Sequence, residues 1–193
     1  ITASPNDIRN NDKFDFSVFP ISDELVSDLG NVYFLPERDW ALKELSEKDR
    51  CCLALGFPNS RNKKVDSSLK SVKLEPFVYT STIKSDPKLF EEIGLSTADH
   101  YLLDFCDKHS RNSDNKITNS ICPQGVSGGG LFLIENMANP ESYRPEAECS
   151  GKLLGILIEQ RKSIKVLVFT KISTIVKALT LRSSVTEKKP AAP

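Results

Sequence analysis

The sequence predicts a mostly β fold, a barrel or sandwich with a few helices added. Three observations lead there. Short apolar runs recur at roughly 10–20-residue spacing, the rhythm of an all-β domain. Turn signals such as Gly56-Phe57-Pro58-Asn59 separate them. And Pro123-Gln124-Gly125-Val126-Ser127-Gly128-Gly129-Gly130 sets a serine among glycines, immediately ahead of the apolar run Leu131-Phe132-Leu133-Ile134. A chain of 193 residues is one domain or two small lobes, long enough to need neither disulfide nor metal for stability.

Taken in order, Ile1 to Lys13 is polar and Asn/Asp-rich, hence loop. Phe14-Asp15-Phe16-Ser17-Val18-Phe19 alternates large apolar with small or polar residues, and Pro20 closes it, which predicts a short strand. Ser22 ahead of Asp23 and Glu24 is a helix start, a hydroxyl cap with acids in the first turn. Glu37 to Arg50 predicts a helix with apolar positions at Trp40, Leu42 and Leu45. Cys51 to Leu55 reads as a buried strand, followed by a polar, hairpin-like connection through Arg61–Lys64. Val72 to Ile83 has strand character, Asp86-Pro87 opens a helix, and His100 to Phe105 is strand again. Beyond the glycine motif, strands are expected over Leu131–Glu135, Leu153–Glu159 and Val166–Ile172, with a long polar loop at Asn136–Ser150. Ser173 is the expected cap of a closing helix through Leu179, and Arg182 to Pro193 reads as a tail.

Composition excludes several classes of function. Lys plus Arg and Asp plus Glu both number 26, so no global field draws nucleic acid or an anionic membrane. No apolar run approaches the roughly 18 residues of a membrane span. Five unevenly spaced cysteines predict reduced thiols and a cytoplasmic location. With no C-x-x-C or H-x-x-x-H, neither a metal nor any other cofactor is expected.

The serine motif admits two readings. Glycines cost roughly 0.5–1 kcal/mol each against alanine, and in return permit positive φ and close backbone approach. The result is either a surface turn between two strands or a nucleophile beside converging N–H groups, an oxyanion hole. If Ser127 is a nucleophile, triad order restricts its partners. The α/β-hydrolase order places a histidine after the serine, whereas His100 and His109 both precede it. The order His, Asp, Ser instead asks for an acid in a short apolar strand far upstream. Asp15 sits in such a run; Asp7 and Asp12 lack the apolar flanks.

In this order the chain resembles the trypsin-like, chymotrypsin-fold serine peptidases, in particular the disulfide-free bacterial type. Phe14-Asp15-Phe16-Ser17-Val18 resembles the strand bearing the catalytic Asp, and Leu55-Gly56-Phe57-Pro58 the strand that opens the second barrel. Gly125-Val126-Ser127-Gly128-Gly129 resembles the nucleophile loop and Gly155-Ile156-Leu157-Ile158 the strand lining the substrate cleft. Val168-Phe169-Thr170-Lys171-Ile172 resembles the closing V-Y-T-K strand before a terminal helix. The resemblance implies a double β-barrel: residues 1–50 as the end of the first barrel and a helical linker, 51–181 as the complete second barrel with its helix, and 182–193 as a tail. It implies Ser127 as nucleophile, the N–H groups of Gly125 and Ser127 as oxyanion hole, and Asp15 as the acid that orients a histidine. Ile121, Gln124, Ile158, Glu159 and Leu167 are then expected to line a cleft for a peptide or protein substrate.

The chain departs from that family in four places. Val126 stands where secreted members carry an Asp that pairs with a freed amino terminus, so activation by that ion pair is not expected. Ile121 is apolar where Arg/Lys-specific members carry an acid, and Leu167 is expected to narrow the pocket, so a preference for basic side chains is not expected. Gly130 replaces a proline. Most importantly, no histidine precedes Asp15. The expectation is therefore a polypeptide whose first barrel, with its histidine, is completed by preceding sequence or by a partner chain. The alternative is a catalytically inactive barrel kept as a peptide-binding or protein-interaction module.

Overall fold

The computed structural model describes residues 13–45, 51–59, 65–66, 71–72, 76–106, 108, 110–111, 116–120, 122–134 and 151–186. The strands are Cys51–Gly56 (β1), Val65–Asp66 (β2), Ser71–Val72 (β3), Phe77–Lys84 (β4), His100–Asp104 (β5), Ser110–Arg111 (β6), Ile117–Thr118 (β7), Gly130–Ile134 (β8), Gly151–Arg161 (β9) and Val166–Lys171 (β10). The helices are Asp23–Asp28 (α1), Pro87–Glu92 (α2) and Ile172–Thr186 (α3), with a 3-10 turn at Glu37–Asp39. Six strands close a barrel in the order β1-β4-β5-β10-β9-β8, every pair antiparallel. β2–β3 and β6–β7 are separate two-stranded pairs.

Alternation along each strand decides what faces inward. In β1, Cys52, Ala54 and Gly56 are buried while the residues between them are half-buried. Their neighbours inside the barrel are Phe77, Tyr101, Leu103, Leu131, Leu154, Leu157, Leu167 and Phe169. β10 is buried along its whole length, which explains its unbroken apolar run: it is covered on both faces. On its outer face Val166 and Val168 join Leu102 and Ile158 beneath Phe90 of α2. That helix starts as its sequence predicts, Pro87 in the first turn and the Asp86 carboxylate accepting from Lys88 N at 3.0 Å. A third cluster sets Ile172 and Ile175 of α3 against Leu153 of β9, with Phe16, Val18, Trp40 and Phe132 around them.

Residues 13–45 form a strap across the outside of the barrel, and here several expectations fail. Phe14 to Ile21 forms no strand and pairs with none among the described residues, and it kinks at Asp15. Its alternation is real, since Phe16 and Val18 turn to the third cluster while Ser17 and Phe19 face solvent. The segment is held instead by side-chain donors, His100 to the carbonyl of Lys13 and Thr170 to that of Phe14. Ser22 does cap α1, accepting from Leu25 N at 3.3 Å. The helix expected over Glu37–Arg50 is only the 3-10 turn. Trp40 and Leu42 are two residues apart, the spacing of one strand face, and Trp40 forms a parallel bridge to Leu153 while Ala41 N donates to Leu153 O at 2.9 Å. No helical linker therefore precedes β1 within residues 37–45; 46–50 lie outside the described residues.

The closing helix also differs from its expectation. α3 begins at Ile172, directly after β10, which leaves Ser173 inside the helix. Near its start the Asp99 carboxylate accepts from Thr174 Oγ1 at 3.1 Å, and an acid there suits the helix dipole. The helix runs to Thr186, so Arg182 to Thr186 are helical rather than tail. Neither glycine nor proline occurs between Ile172 and Thr186 to stop it sooner.

Candidate functional site

The serine loop hangs from one end of the barrel by two consecutive turns. Val126 N donates to Pro123 O at 3.0 Å, and Gly129 N to Val126 O at 2.8 Å. The third residue of each turn has positive φ, Gly125 at 83° and Gly128 at 89°, as a type II turn requires, and glycine is the residue that adopts it without strain. Ser127 is thereby held at the outward second position of the second turn, exposed. Val126 points the other way, into the barrel interior, and pins the loop from below. From the side, Gly128 N donates to Leu157 O at 2.8 Å and Leu157 N to Gly129 O at 2.7 Å, so β9 continues past the end of β8 and carries the loop.

A bulge in β9 provides the contact to the hydroxyl. Phe169 pairs with Leu157 and Val168 with Glu159, which leaves Ile158 without a ladder partner on β10. Its carbonyl accepts from Ser127 Oγ at 3.2 Å. Among the described residues, neither the amide of Gly125 nor that of Ser127 donates a hydrogen bond. The corner thus presents a restrained hydroxyl and two uncommitted N–H groups on either side of a buried valine.

The other residues expected in the site are distributed unequally. Gln124 is exposed in the first turn, where its carbonyl accepts from Asn59 N at 3.2 Å. Ile158 contributes its carbonyl only, because its side chain packs under α2. Glu159 is held by Arg161 at 2.7 Å. Leu167 does not line a cleft: it is 0% exposed inside the barrel, since alternation along β10 turns it inward with Phe169. Ile121 and His109 lie outside the described residues.

Asp15 is exposed at a kink of the strap, with φ of 39° in the left-handed region. The carbonyl before it, that of Phe14, accepts from Thr170 Oγ1 at 2.7 Å, and Thr170 is the β10 partner of Ile156 in β9. Asp15 and Ser127 are therefore carried by segments that meet β9 and β10 within a few residues of each other. His100 is no base for this serine. It is 2% exposed, with Nε2–H donating to Lys13 O at 2.8 Å and Nδ1 3.3 Å from Ser96 O. Sequence reasoning missed both His100 and Thr170. The available signal was a polar residue embedded in an otherwise apolar strand.

The opposite end of the barrel holds a cavity of about 430 Å³ between Glu44, Leu45, Ile83, Phe90, Tyr101 and Lys171. There Lys171 Nζ donates to Thr97 O at 2.6 Å and sits 4.6 Å above the Tyr101 ring. Burial lowers the Lys171 pKa despite the nearby carboxylates of Glu44 and Asp99. Burial, then Cys52 and Glu44, pushes Tyr101 up to about 12. Its lining also includes Ser85, Thr97 and His100, whose ring nitrogens face the carbonyls of Lys13 and Ser96. Among the described residues no group of three or more His, Cys, Asp or Glu could hold a metal ion, and no helix is long and apolar enough to cross a membrane. Among the described residues, Cys51, Cys52, Cys106 and Cys122 form no disulfide.

No protein-family model matches the chain, and no curated protein matches its sequence.

Proposed function

We propose that this chain carries the nucleophile of a trypsin-like serine endopeptidase, the closed barrel being the second of a chymotrypsin-like pair. The observation that carries this reading is the corner at Ser127: an exposed hydroxyl steadied by the Ile158 carbonyl, on a turn whose Gly125 and Ser127 amides donate to no described backbone carbonyl. In the proposed reaction Ser127 Oγ adds to the scissile carbonyl while its proton passes to an imidazole. The carbonyl oxygen becomes an oxyanion that the two amides receive as donors. The imidazolium then protonates the departing amine, and water releases the acyl group by the same steps. Asp15 would orient that imidazole. The imidazole itself comes from chain preceding Ile1 or from a partner that completes the first barrel.

A second reading, an inactive barrel serving as a peptide-binding or protein-interaction module, is favoured by one observation. His100, which precedes Ser127 in the described chain, is buried and has both ring nitrogens facing carbonyls. A fluorophosphonate probe separates the two. Residues 1–193 alone should label negligibly, because removing the base from a serine triad costs on the order of 10⁶ in turnover. The protein with its upstream chain or partner should label at Ser127, and Ser127→Ala should abolish the signal. Failure of the complete protein to label would leave the module reading standing.

A further inference from the structure

The geometry points to His100 and Thr170 as positioning residues: together they hold the two peptide carbonyls just before Asp15 and so fix where its carboxylate stands. The inference rests on the reading of Asp15 as the acid of the site. His100 and Thr170 are cross-strand partners on β5 and β10. Alternation with Tyr101 and Phe169, both inside the barrel, puts the two polar side chains on the outer face, beneath the strap. Each reaches a different carbonyl, His100 Nε2 that of Lys13 at 2.8 Å and Thr170 Oγ1 that of Phe14 at 2.7 Å.

Two such bonds side by side constrain the chain strongly. In an extended backbone successive carbonyls point to opposite sides, so neighbouring donors on one sheet face capture both only where the chain turns. The turn is visible at the next residue, Asp15, whose φ of 39° lies where Asp is among the few residues tolerated. Further contacts flank it. The Phe14 ring stacks on His100 with centroids 5.7 Å apart and planes at 14°, and Phe16 packs against the Leu153, Ile172 and Ile175 cluster. Asp15 is thus clamped on both sides while its own side chain stays exposed. Thr170 is 0% exposed, and an apolar residue of similar shape would fill its place as well; the hydroxyl adds only a directed bond.

The test uses the complete protein and two readouts. The first is cleavage of the Lys13–Phe14 bond by a lysine-specific endopeptidase, which must free the very carbonyl that His100 holds. Thr170→Val and His100→Leu should each speed it about 10-fold, by releasing the strap locally. The second is the rate of fluorophosphonate labelling at Ser127, which should fall between about 10- and 100-fold, the scale of a misplaced catalytic group. Thr170→Ser and His100→Gln, which keep a donor, should recover both. Combined with Asp15→Asn, neither apolar variant should slow labelling further, since groups acting through one another are non-additive. Unchanged cleavage, or slowing that adds fully to that of Asp15→Asn, overturns the inference. Normal labelling of Asp15→Asn removes the acid assignment and the inference with it. Complete absence of labelling in the unaltered protein refutes the peptidase reading instead, and the cleavage readout then decides whether the clamp exists.

Discussion

Phe169 and Phe19 are the same residue in two kinds of chain. Phe169, in the middle of β10, is 0% exposed; Phe19, in the strap, is 76% exposed. Hydrophobicity does not separate them, because the strap too is rich in large apolar residues. What separates them is the backbone. β10 exchanges hydrogen bonds with β5 on one side and β9 on the other, so its amides and carbonyls can leave water. The strap is fastened by scattered single bonds, to His100, Thr170 and Leu153. A segment whose backbone still needs water cannot be buried deeply, whatever its side chains prefer. Its apolar residues, Val32, Tyr33, Phe34 and Leu35 among them, remain outside.

The largest expected effect comes from emptying the barrel. Phe169→Ala should lower unfolding free energy by about 3–5 kcal/mol in a denaturant titration, the range for a buried phenylalanine. A cost under about 1 kcal/mol would mean the barrel interior is not packed as described. Next is Gly129→Ala. An added Cβ there meets Leu55 O at 2.6 Å and Val126 O at 2.9 Å, both backbone atoms, so neither can swing aside. Overpacking of this kind costs typically about 1–3 kcal/mol, and the displaced loop should also lose fluorophosphonate labelling at Ser127. Loss of stability with full labelling would detach the serine corner from the barrel's integrity.

The same contrast decides what was legible in the sequence. The strands were, because a paired and buried strand writes its pattern locally: Val166 to Phe169 is a run that only a two-sided core explains. The serine corner was legible too, since Gly125 and Gly128 stand where positive φ is required. The strap was not. Its period-2 pattern at Phe14–Val18 correctly marks which residues face the barrel, but no local signal tells a strand from an extended chain without partners. Trp40 and Leu42 misled for the related reason that a short apolar cluster fits either period. Leu167 was misplaced because its inward orientation depends on the register with Leu103 and Gln160, which is set by chain far away.

Alkaline pH probes the cavity end of the barrel. Tyr101 ionises near 12 instead of 10, so the folded state holds a proton that the unfolded chain has released. Stability from this group is complete below pH 10 and is lost as pH rises from 10 to about 12. Lys171 acts in the opposite sense: its lowered pKa makes the folded state the weaker proton binder, so stability rises as pH approaches 10.5 from below. A shallow rise followed by a fall is therefore expected in thermal melts across this range. In ultraviolet titration of the folded protein, one tyrosine should ionise last, and Tyr101→Phe should remove it. Disappearance of a different step would contradict the burial of Tyr101. A smaller effect belongs to Trp40, whose Nε1–H is buried without an acceptor among the described residues. Trp40→Phe removes that orphan donor along with some apolar area, and the two should offset to within about 1 kcal/mol. A loss of several kcal/mol would mean the indole donates to something outside them.

The smallest stability change should come from Phe19 itself. At 76% exposure its ring gains little from folding, so Phe19→Ala should leave unfolding free energy within about 0.5 kcal/mol, the range for surface positions. The same substitution should nevertheless change how the protein behaves in solution. Apolar side chains gathered on a poorly paired segment form the kind of patch that promotes association unless something covers it. Phe19→Ser combined with Tyr33→Ser should therefore reduce self-association of residues 1–193 in sedimentation at high concentration, with the melting temperature unmoved. Were a first barrel to cover the strap, as the peptidase reading proposes, the same pair should instead destabilise the assembled protein. Equal behaviour in both settings would show that nothing docks on these rings. The contrast between Phe169 and Phe19 would then reflect a permanently exposed strap rather than one awaiting its neighbour.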